Sequence, residues 1–173
     1  MQNTLKNRIN RRVISTRQKT YSDGIPRAYR AIYYSLLNEL VDYYKKFVKD
    51  ILSRCGNSPI FPLDTKYLCE YLTGYQIRYI GFMGPDNAKI DGFWEADEDD
   101  PCNIAIYFNS NRPTTRQRST KVHETFHFIQ SIDPGFQSFF DKLLNQYILP
   151  TQLVERLLEK ATEKAAAIYL MPN

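Results

Sequence analysis

Two histidines occur in the chain, four residues apart and with a glutamate beside the first: His123-Glu124-Thr125-Phe126-His127. Residues i and i+4 of an α-helix lie one above the other on a single face. On a helix both imidazoles could therefore reach one ion, and imidazole is a common zinc ligand. Glu124 sits next to the first ligand, where a carboxylate can take a proton from zinc-activated water. The spacing H-E-x-x-H thus points to hydrolysis. Patterns with three fixed positions also arise by chance, but the flanking sequence argues against chance here. Arg116 to Ile132 lacks glycine and proline, follows Pro113-Thr114-Thr115 and precedes Asp133-Pro134-Gly135, so it reads as one helix. Val122, Phe126, Phe128 and Ile129 make that helix strongly apolar around the motif. Polar groups in such surroundings are desolvated at a cost that a metal would offset.

A catalytic zinc usually takes three protein ligands and keeps one position for water. With no third histidine, the remaining ligand must be a carboxylate or a cysteine. Thr151 to Leu170 reads as a second helix, preceded by Pro150 and capped by Thr151. Its expected core stripe is Leu153, Val154, Leu157, Leu158, Ala161, Ala165 and Ile168. Glu155, Glu159 and Glu163 recur every four residues on another face. The ordinary fate of such a glutamate is a solvated pairing with a lysine, here Lys160 or Lys164.

The stretch from Glu159 to Pro172, EKATEKAAAIYLMP, resembles the tail signature of the ImmA/IrrE family of metallo-endopeptidases. That signature has a glutamate, an alanine seven positions on and a Leu-Met-Pro ending, matched by Glu159, Ala166 and Leu170-Met171-Pro172. Phe61 to Gly74 resembles the short helix before the sheet in the same family, so the resemblance spans roughly positions 60 to 173. It implies a zincin-like domain that binds Zn2+ through His123, His127 and Glu159; Glu163, one turn further along the same helix face, is the second choice. Glu124 would be the catalytic base. The implied activity is that of a cytoplasmic endopeptidase cutting a particular protein, such as a DNA-bound repressor of a mobile element or stress response. The strand before the active-site helix would border the cleft and accept a substrate peptide on its edge. Tyr169, Tyr107 and backbone N–H groups of that strand are candidate oxyanion donors. In this chain Phe126 stands where relatives often carry glycine.

The elements that must position these residues suggest an α+β fold with a three-stranded sheet. A long helix is expected from Arg27 to Ser53, with Ile32, Leu36, Leu40, Val41, Tyr44, Phe47, Val48 and Ile51 at helical period. A short helix follows from Thr65 to Leu72, capped by Asp64 and stopped by Gly74. Strands are expected at Gln76–Phe82, Ala88–Trp94 and Asn103–Asn109, with a turn at Gly84-Pro85-Asp86-Asn87. An acidic loop runs from Glu95 to Pro101.

At 173 residues the chain suits one domain, positions 26–173, behind a flexible basic arm, positions 1–25. No apolar run is long enough to span a membrane, and the N-terminus lacks a secretory apolar core. Cys55, Cys69 and Cys102 are unevenly spaced and odd in number, which fits a reducing compartment and buried thiols. The net charge of +4 is unevenly spread. Between Met1 and Arg30 stand Lys6, Arg8, Arg11, Arg12, Arg17, Lys19, Arg27 and Arg30, against Asp23 alone. Such an arm suits contact with nucleic acid, docking on an acidic partner or plain solvation. Two other functions therefore stand beside a zinc peptidase: a non-catalytic metal-containing binding module, and a basic nucleic-acid-binding protein.

Overall fold

The computed structural model describes residues 24–54, 65–84 and 90–171. The arm expected over positions 1–25 lies outside them except for Gly24 and Ile25, as do Asp64, Cys55 and most of the turn expected at 84–87. The protein is α+β and mostly helical, and it divides into two compact units.

One unit, which includes Thr73–Ile132, holds the sheet. Strands β1 (Gln76–Phe82), β2 (Gly92–Ala96) and β3 (Asn103–Asn109) are followed by helix α3 (Thr114–Ile132). The order is β1-β3-β2: β3 runs parallel to β1 over seven paired residues and antiparallel to β2 over five. β1 and β3 are placed as the β-rich sequence predicts, whereas β2 begins at Gly92 and takes in Glu95 and Ala96. The pairing of β3 on both sides overturns one expectation. The strand before the helix has no free edge to offer a peptide; among the described residues the outer strands are β1 and β2.

Alternation sorts the sheet's side chains between its two faces. Trp94 meets the Phe128 ring edge-on, and Lys121 lies 4.0 Å above the Phe108 ring, so both aromatics face α3. Phe93 points the other way and stacks on its cross-strand partner Tyr107 at 4.6 Å. Tyr107 is thereby on the face away from α3 and is removed as an oxyanion donor on that helix's side.

The other unit contains α1 (Arg30–Arg54), α2 (Lys66–Tyr71), α4 (Pro134–Gln146) and α5 (Thr151–Leu170). α1 starts after a single 3-10 turn, Arg27–Tyr29. It buries Tyr33 and Leu37 where the sequence suggested Ile32 and Val41, a small rotation of the same stripe. Gly74 follows α2 with φ +93°, a left-handed conformation that glycine adopts without a Cβ penalty.

Helix α4 leaves no plain mark in the sequence. Asp133-Pro134-Gly135 looks like a stop signal for α3, and it also starts the next helix. Asp133 Oδ1 accepts from Gly135 N at 2.8 Å, and Pro134 fills the first helical position, where no N–H is needed. Asp133 Oδ2 accepts from the Tyr43 hydroxyl at 2.9 Å. Burial, then that carboxylate, raises the Tyr43 phenol well above its ordinary pKa. The Tyr43 ring stacks on Phe139, and Tyr44 stacks on Phe136, tying α4 to α1.

α5 has the expected bounds, but its cap is Pro150 without a side-chain bond, and Thr151 is already helical. Leu153, Leu157, Ala161 and Ala165 are buried as expected; Thr162, Ala166 and Tyr169 join them, while Val154, Leu158 and Ile168 are half-buried. The small residues of its second half let the helix pack closely. Tyr33 donates to the Arg156 carbonyl, and the Arg156 guanidinium donates to the Gly24 carbonyl at 2.9 Å.

Candidate metal centre

All five residues of the H-E-x-x-H motif lie in α3, which starts at Thr114, just ahead of the expected Arg116. The helix buries Val122, Phe126, Phe128 and Ile129 and leaves His123, Glu124 and His127 half-buried. Thr125, inside the motif and wholly buried, fixes the helix to the sheet. Its hydroxyl donates to the Lys121 carbonyl at 2.7 Å and lies 3.1 Å from the Tyr79 hydroxyl of β1.

The two imidazoles turn their Nε2 atoms toward each other at 3.0 Å, with ring planes 84° apart. Two nitrogens bound to one tetrahedral zinc at ~2.0–2.1 Å would stand ~3.3 Å apart, so the observed separation fits a shared ion. His123, His127 and Glu159 make up a group able to hold a metal ion: one ligand atom from each lies within 4.8 Å of the other two. Two imidazoles and a carboxylate are a hard-to-borderline donor set that zinc accepts readily. Glu163, the second choice, is instead paired with Lys160 one turn away on α5. Cys102 is exposed and Cys69 half-buried, so neither is the buried thiol that composition suggested, and neither belongs to this ligand group. Tyr169 is wholly buried.

Three features of the site's support stand outside the sequence expectations. The first is Gly92, where β2 passes under α3. A Cβ there would meet Thr120 Cγ2 and the Tyr107 carbonyl oxygen, the latter at 2.5 Å, and would lie 3.4 Å from Glu124 Cγ. The absence of a side chain lets the helix carrying Glu124 sit directly on the strand. The second is Asp91, which binds Arg112 Nε at 3.0 Å and the Arg116 guanidinium, joining the approach to β2 to the start of α3. Burial alone would raise the Asp91 carboxyl, but Arg116 and then Arg112 outweigh it and hold the group below its ordinary pKa. The third is Gln130, whose Oε1 lies 3.2 Å from His127 Nδ1. Only Gln130 leaves a trace in the sequence, by its i+3 spacing from His127; the other two depend on strand register.

Among the described residues no helix is long and apolar enough to cross a membrane. No family model matches the chain, and no curated protein matches it.

Proposed function

We propose that the protein is a zinc-dependent endopeptidase of zincin-like fold, acting on a specific protein inside the cell. The observation that carries the reading is the convergence of His123, His127 and Glu159 on one small volume with Glu124 on the same helix as the histidines. A bound zinc would supply Lewis acidity that lowers the pKa of water toward ~7 and polarises a peptide carbonyl. Glu124 takes the proton from the attacking water and passes it to the leaving amine. Gly92 keeps β2 close to Glu124, and among the described residues β2 lies outermost in the sheet, so its edge could hold an extended peptide by main-chain hydrogen bonds. Its N–H groups would then serve where β3 cannot. The resemblance of the two motifs to the ImmA/IrrE peptidases supports a protein substrate of regulatory kind, such as a repressor on DNA.

The test uses zinc-loaded protein and a mixture of proteome-derived peptides, with new termini read by mass spectrometry. Wild type should generate them. Glu124→Gln should lower the cleavage rate by about 10²–10⁴-fold or more, the usual contribution of a general base, while binding as much zinc. Zinc-loaded wild type that yields no new termini would favour a non-catalytic metal-containing module.

A further inference from the structure

A metal ligand must present a bare nitrogen, and a neutral imidazole has only one. The ring nitrogen that carries the proton is decided by the partner of the other. His127 Nε2 faces His123 Nε2 at 3.0 Å, whereas His127 Nδ1 lies 3.2 Å from Gln130 Oε1. An amide oxygen can only accept, so this contact requires the proton on Nδ1. Nε2 is then bare on the side where the ligand group converges. Gln130 lies three residues beyond His127, on the neighbouring position of the same helix face. It is only 7% exposed, so water competes little for its amide.

We propose that Gln130 is a positioning residue of the metal centre: it fixes His127 as the Nδ1–H tautomer and aims Nε2 at the ion. The inference rests on the metal reading above and extends it to a residue outside the H-E-x-x-H motif. Outer partners of this kind orient a ligating ring and raise its basicity. The two histidines are thereby unequal. In protein stripped of metal, His127 Nε2 can only accept, so His123 carries its proton on Nε2 and donates across the 3.0 Å contact. His123 must change tautomer when an ion binds; His127 is already set.

Two measurements test this. Nitrogen-15 spectra of the imidazoles in metal-stripped protein, well above the ordinary histidine pKa of about 6.5, should show the Nδ1–H form for His127 and the Nε2–H form for His123. Gln130→Met, which keeps the volume and removes the acceptor, should abolish the His127 preference. In chelator competition the same variant should bind zinc about 10–100-fold more weakly. Gln130→Glu keeps an acceptor and should bind at least as tightly as wild type, which covers the case in which Gln130→Met does not fold. Wild type that binds zinc, with Gln130→Met unchanged in affinity and tautomer, overturns the positioning role alone. Wild type that binds no zinc overturns the metal reading and this role with it. Loss of affinity in a folded Gln130→Glu also overturns it.

Discussion

Beside the site, Asp91 solves a local electrostatic problem. Its carboxylate is partly buried, which by itself favours the neutral acid, and two guanidiniums reverse that preference. The folded-state pKa is therefore below the unfolded one. A group with a depressed pKa stabilises the fold above its unfolded value, near 3.9 for aspartate, and loses that contribution as pH falls through the folded value. Asp91→Asn should thus lower stability at neutral pH by about 1 kcal/mol or less, given a side chain still 30% exposed. The gap between wild type and variant should close as pH drops below about 4. Urea unfolding at neutral and acid pH measures both; a gap that persists in acid would show that the effect is packing and not charge.

At the scale of elements, the placement of α3 on β2 is decided by Gly92. Gly92→Ala would drive a methyl group into the Tyr107 carbonyl and Thr120. The expected cost is about 1–3 kcal/mol, typical of overpacking, together with weaker general-base function because Glu124 is pushed from its strand. Urea unfolding checks the first part; an unchanged midpoint would mean that β2 and α3 have room to separate. This contact shows why part of the structure is illegible in the sequence. The helix carrying H-E-x-x-H, α5 and strands β1 and β3 are readable because their periodicity and breakers are local. The central position of β3 is not, since strand order depends on long-range pairing that no local pattern records. α4 escapes notice because Asp133-Pro134-Gly135 is both a stop and a start, and only the Asp133–Gly135 bond tells which. Glu159 stands out from Glu163 through the tail motif; the helix period alone leaves the two equal, and the Lys160 pairing of Glu163 is a side-chain fact.

For the molecule as a whole, the proposed chemistry needs a histidine pair on α3 and a glutamate on α5, with α4 between them in the chain. Charge adds to this picture: the stretch from Met1 to Arg30 is strongly basic, while the remainder is acidic on balance. On the proposed function, that imbalance would suit a target held on nucleic acid, but it does no chemistry by itself. The proposed metal centre is tested by metal content, measured by mass spectrometry after zinc loading and desalting, on wild type, Glu159→Ala and Glu163→Ala. One zinc per chain in wild type and Glu163→Ala, and its loss in Glu159→Ala, is the predicted result. Zinc retained by Glu159→Ala, or none taken up by wild type, would contradict the account.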